Sequence, residues 1–157
     1  MKAYLASMIL LVLSSFPAAA LDDLLGWQST RWGMTEEQVR AAIQTDGLQP
    51  QPPPPRIPYK GAFMATLNVG GSRCEVFFEY PAGRLNHVTV SCPGQTDVYV
   101  RLRDRLVKLY GEPIPRGSDR QEWKFPTTVV LLDGRLKERA VTLNYYPAAL
   151  YEEEKDK

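Results

Sequence analysis

Apolar and polar residues alternate with a period of two in five stretches of this chain, and with a helical period in one other. In Phe63–Val69 the residues Phe63, Ala65, Leu67 and Val69 alternate with Met64, Thr66 and Asn68. Arg73–Tyr80, Leu85–Cys92, Gln121–Phe125 and Arg139–Tyr146 repeat the pattern, and Thr127–Leu132 is continuously apolar apart from its threonines. A period of two is the mark of a strand with one buried face, so six strands are predicted. In Thr96–Tyr110, Val98, Leu102, Leu106 and Leu109 form one stripe at helical spacing.

The other helix is predicted from its start. In Met34-Thr35-Glu36-Glu37-Gln38-Val39, Thr35 is placed as N-cap and Gln38 completes a capping box, with Met34 and Val39 in staple positions. Glu36 and Glu37 suit the positive end of the helix dipole. The helix should run to about Thr45 and stop near Gly47; the later one should end at Gly111, before Pro113. Six prolines in Pro50–Pro58 exclude helix and central strand and predict a stiff extended connection. The order helix, three strands, helix, three strands defines an α+β protein of two αβββ-like halves, about 27–92 and 96–147. It suggests an internal duplication. The expected architecture is an antiparallel sheet with helices packed on one face, in a single domain over 21–150 followed by a frayed, charged tail at 151–157.

The first 20 residues are expected to be removed. Lys2, the apolar run Leu5–Leu13 and the small-residue end Ala18-Ala19-Ala20 are the parts of a secretory signal peptide, with cleavage after Ala20. That run is too short to span a bilayer and no longer one follows, so the mature protein is not expected to cross a membrane. With no cysteine at the cleavage point, no lipid anchor is expected, and the predicted location is the periplasm. Against 19 Lys and Arg stand 18 Asp and Glu, a balance that argues against nucleic acid as a partner.

Export changes the reading of the two cysteines, Cys74 and Cys92. An oxidising compartment permits a disulfide, and strand parity puts both on the apolar face. A five-residue loop, Pro81–Leu85, would pair them directly; a three-residue loop would leave them diagonal. Two cysteines and one histidine are too few soft ligands for a metal site, and no cofactor is expected.

No stretch carries a nucleophile motif, so no catalytic residue is assigned. His87 falls on the strand face opposite Val88 and Val90, where an exposed position is expected. Glu75 and Glu79 share that face. Arg101, Arg105 and Lys108 make a basic stripe that could meet anionic lipid or an acidic partner, with Asp97 and Asp104 spaced to pair with Arg101 and Lys108. Trp27, Arg31 and Trp32 are the candidate partner-binding residues, since Trp and Arg dominate interface hot spots. The competing reading makes them a flap over the core.

Gly33-Met34-Thr35-Glu36-Glu37-Gln38-Val39 resembles the helix opening of the SmpA/OmlA outer-membrane assembly lipoproteins and the repeat of the β-lactamase-inhibitor-protein-like group. Leu109-Tyr110-Gly111-Glu112-Pro113 resembles the helix ending of the same group. The resemblance implies a small exported α+β module that acts by binding other proteins. The first expectation is therefore a non-catalytic periplasmic protein-interaction module of the bacterial cell envelope, with an envelope protein as partner and peripheral membrane contact possible. The alternative is a binder of a small or lipid-like ligand on one side of the sheet beneath the proline-rich segment. An envelope hydrolase ranks third.

Overall fold

Seven strands hydrogen-bond into one antiparallel sheet in the order β1-β2-β3-β7-β6-β5-β4. They are β1 (Phe63–Val69), β2 (Ser72–Glu79), β3 (His87–Pro93), β4 (Ile114–Pro115), β5 (Arg120–Lys124), β6 (Thr128–Asp133) and β7 (Ala140–Pro147). The helices are α1 (Glu36–Thr45), α2 (Thr96–Tyr110) and α3 (Ala148–Lys155). This is a computed structural model, and it describes residues 23–52, 63–69, 71–94, 96–134 and 140–155. The expected leader, 1–20, and most of the proline-rich stretch, 53–58, lie outside the described residues.

The alternation sorts the strands into an inner and an outer face. Phe63, Val76, Phe78, Val88 and Val90 point inward from β1–β3, and Trp123, Val130, Leu132, Val141 and Leu143 from β5–β7. Val39 and Ile43 of α1 and Val98, Leu102 and Leu106 of α2 close on the same face. Burying these side chains contributes roughly 1.5–3 kcal/mol each. The α+β arrangement expected from the sequence is therefore present.

The caps of α1 account for its boundaries. The Gln38 N–H donates to Thr35 Oγ1 at 3.4 Å and the Thr35 N–H donates to Gln38 Oε1 at 2.9 Å, a complete capping box. At the other end Gly47 takes φ +78°, and the N–H groups of Gly47 and Leu48 satisfy the carbonyls of Gln44 and Ile43.

Three features depart from the sequence reading. The short edge strand β4 was not expected. Strand β3 begins at His87 rather than Leu85, because Leu85 exchanges backbone bonds of 2.8 and 2.9 Å with Met34 and Gly33 ahead of α1. The expected frayed tail beyond 150 is instead helical to Lys155, so the folded unit extends past the predicted boundary.

Helix α3 is held from the sheet's outer side, opposite α1 and α2. The Tyr146 ring, outward on β7, lies 5.8 Å from that of Tyr151, whose hydroxyl donates to Glu122 Oε2 at 2.8 Å. Lys124 Nζ reaches Glu152 at 2.6 Å. Glu122 is fully buried beneath this helix and takes two 2.9 Å bonds from the Arg116 guanidinium. A buried carboxylate needs such partners.

Candidate functional site

On the inner face the helices and the N-terminal segment do not close completely over the sheet. They leave an open-sided cavity of about 350 Å³. Leu102, Leu106, Leu109 and Tyr110 of α2 form one wall, and Leu24 and Trp27 of the N-terminal segment another. The end of β1 supplies Leu67 and Val69, and the floor is Val90, Leu143 and Tyr145 from β3 and β7. The volume lies at the low end of the range for small-molecule sites, and the lining is apolar with a few polar groups, as such sites require.

Those polar groups are Arg105, Gln28, Asn68 and the hydroxyls of Tyr110 and Tyr145. Burial pushes both phenols above their ordinary value. The Arg105 charge is close enough to Tyr145 to act against that rise. On α2, Asp97 pairs with Arg101 at 3.2 Å as expected, but Asp104 pairs with its neighbour Arg103 at 2.8 Å rather than with Lys108. Arg105 and Lys108 have no carboxylate partner among the described residues.

The N-terminal segment is shaped by a tight turn. Thr30 Oγ1 donates to the Trp27 carbonyl at 2.6 Å and the Thr30 N–H donates to it at 3.0 Å. Gly26 permits the close approach: a Cβ there would stand 2.4 Å from the Thr30 carbonyl oxygen. The turn drives Trp27 inward, 4% exposed and edge-on to Phe78 at 5.6 Å between centroids. Trp27 is thus a wall of the core and of the cavity. Arg31 caps the carbonyls of Gln28 and Thr30 at 3.1 and 2.8 Å. Trp32 is half-buried and donates from Nε1 to Thr128 Oγ1 at 2.8 Å.

Cys74 and Cys92 form a disulfide between β2 and β3, with Cα atoms 4.3 Å apart. The register Glu75↔Ser91 through Glu79↔His87 is the direct one, with Pro81–Leu85 as the loop. Both cysteines are fully buried on the inner face, away from solvent and from any ligand role.

The outer face carries a polar cluster at its centre. His87 Nδ1 lies 3.1 Å from Glu79 Oε1, and Nε2 lies 3.2 Å from Thr89 Oγ1 and 3.3 Å from Asn144 Oδ1. Its ring stacks on Tyr146 at 4.3 Å, and the side chain is 17% exposed, not the open position expected. A carboxylate on one ring nitrogen and a hydroxyl by the other is the connectivity that acid–base chemistry uses. Here the Thr89 hydroxyl also lies 3.0 Å from Asn144 Oδ1, and Asn144 continues to Thr142, so the group is a hydrogen-bonded chain across β3 and β7. Glu75 stands apart from it, in a shallow depression of about 380 Å³ with Arg73, Ser91 and Pro93.

Among the described residues no three His, Cys, Asp or Glu side chains gather as metal ligands, and no helix is long and apolar enough to cross a membrane. Comparison with protein-family models, curated proteins and solved structures found no match to this chain. The cavity has no linear signature, because its walls come from an N-terminal segment, three strands and a helix. The one trace in the sequence is Leu109, a member of the apolar stripe that ends 53% exposed at the cavity's mouth.

Proposed function

We propose that this is a non-catalytic exported protein of the bacterial cell envelope, acting in the periplasm, that binds a small or lipid-like ligand in the inner-face cavity. The observation that carries this reading is an open-sided hollow of about 350 Å³ between α2 and the N-terminal segment, apolar over most of its lining and polar at a few points. Isolated core voids in natural proteins are few and small, since interiors pack at crystal density. The test uses mature, delipidated protein and a neutral apolar probe such as dodecanol, titrated calorimetrically. Saturable one-to-one binding that is lost in Leu109→Asp, with an unchanged melting temperature, is expected. Failure of any apolar probe to saturate overturns the reading.

A protein-interaction role, in line with the resemblance to the SmpA/OmlA and β-lactamase-inhibitor-protein-like modules, is the second reading. Leu25 favours it: the side chain is 47% exposed and lies beside Trp32, whose N–H donates to the Leu25 carbonyl, with Arg31 adjacent. Loss of a crosslinked envelope partner on Leu25→Asp, with ligand binding intact, would move the function to that patch.

A further inference from the structure

The cavity's lining carries one kind of charge, and that selects among ligands. Most of its lining is apolar, Leu24, Trp27, Leu67 and Val69 among it, and Arg105 is the one charged residue among those that line it. Arg105 is exposed at the mouth, so its guanidinium keeps water while remaining near the Tyr145 hydroxyl. It has no carboxylate partner among the described residues, although Arg101 and Arg103 on the same helix are both paired. Tyr110 and Tyr145 line the same cavity, and a phenol hydroxyl can donate to a ligand acceptor.

We propose that the ligand is a single-chain amphiphile with an anionic head, its chain held in the apolar part of the cavity and its head on Arg105. This rests on the cavity being a ligand site. Size argues for one chain, because about 350 Å³ is at the small end of ligand cavities and a two-chain lipid would leave most of its surface outside. Charge argues for an anion. A cationic head would meet the unpaired Arg105, and a neutral head would leave the guanidinium without a charged acceptor. A planar carboxylate fits the guanidinium fork in particular.

The test uses the mature chain with ω-bromododecanoate, ω-bromododecanol and ω-bromododecyltrimethylammonium, read by heavy-atom quenching of tryptophan emission. With the head on Arg105, the brominated chain end lies against Trp27. Saturable quenching by the carboxylate is expected, with Trp27→Phe removing the quench. Arg105→Gln, an exposed substitution that leaves the melting temperature unchanged, should weaken the carboxylate about tenfold, the effect of losing one charge-assisted bond, and leave the alcohol unaffected. The cationic amphiphile should bind least. Equal binding of carboxylate and alcohol, or indifference of the carboxylate to Arg105→Gln, overturns anion recognition while the cavity stands as a ligand site. No saturable quenching by any of the three overturns both. Binding only to anionic phospholipid vesicles, and not to the free carboxylate, also overturns the proposal and makes α2 a membrane-surface contact instead.

Discussion

Removing the Cys74–Cys92 disulfide should destabilise this protein chiefly through its unfolded state. The perturbation is the double variant Cys74→Ala/Cys92→Ala, which avoids leaving a lone buried thiol. The bridge closes a loop with a sequence separation of 18 residues. On the chain-entropy model, a loop of that length restricts the unfolded chain by about 3 kcal/mol. Both side chains are buried, with Leu67 and Val141 across the strands on either side and Val76 and Val90 in the next row, so replacing sulfur by hydrogen adds a small void and its cost. Working against this, the hairpin's own tendency to form in the unfolded chain reduces the loss. The net expectation is about 2–4 kcal/mol. At an unfolding entropy of about 2.1 cal/mol/K per residue over roughly 130 residues, 3 kcal/mol is a fall of about 10 °C in melting temperature. Urea unfolding followed by tryptophan fluorescence would measure it. The urea dependence, m, should rise, because the unbridged chain exposes more surface when it unfolds. A double variant within about 1 kcal/mol of the parent, with m unchanged, would refute the reasoning and show that the hairpin holds its register in the denatured ensemble without the bond.

Thr35→Ala removes the acceptor of the capping box and should cost about 0.5–2 kcal/mol in thermal melts, while ligand affinity per folded molecule stays the same. Trp32→Ala should cost about 2–3 kcal/mol, less than the 3–5 of a fully buried aromatic, because Trp32 is only half-buried; an unchanged melting curve would return Trp32 to the role of a free anchor. Gly26→Ala puts a methyl group against the Thr30 carbonyl and should cost about 1–3 kcal/mol by overpacking, with a red shift in Trp27 emission as the turn opens. Burial and the bond to Glu122 hold the Tyr151 phenol up at about 12, above its ordinary 10. A raised folded-state value means that this group's stabilisation is complete below pH 10 and is lost as the pH climbs from there to about 12. Melting temperatures should therefore be level up to about pH 9–10 and then fall, less steeply in Tyr151→Phe; a fall shared equally by both proteins would remove Tyr151 from the explanation.

Much of this could be read from local spacing. A period of two fixes which residues share a sheet face, so the parity of Cys74 and Cys92 followed directly from the alternation around them. Their register did not, because two loop lengths were compatible with the same pattern. What decides between them is Leu85, whose backbone is claimed by Met34 and Gly33, partners about 50 residues away in the chain. Parity also placed His87 on the outer face correctly, but its burial comes from Tyr146 on β7, a strand that joins β3 only in the folded sheet. Helix α3 was missed for a similar reason. A Glu-rich stretch at the end of a chain reads as solvated, and only the distant Glu122 and Lys124 give Tyr151 and Glu152 something to hold. The cavity was anticipated as a possibility on one side of the sheet, yet its lining residues stayed hidden because none of its walls is continuous in sequence.

The seam between β3 and β7 bears on ancestry. Unit α1-β1-β2-β3 and unit α2-β5-β6-β7 meet along two antiparallel strands, with Val90 opposite Leu143. Two identical molecules pairing through the same free edge, related by a two-fold axis normal to the sheet, would produce that arrangement. Smaller echoes accompany it. Gly47 and Gly111 follow their helices with the same φ of +78°, and each is followed by a short extended piece that pairs with the outer edge of its half, Gln51 on Met64 and Ile114 on Glu122. Only Gly94 and Gln95 separate β3 from α2. A fusion joining two copies of a self-pairing αβββ unit would need little more than that two-residue bridge. The two halves differ in what they carry: α2 of the second lines the hollow, and the disulfide staples the hairpin of the first.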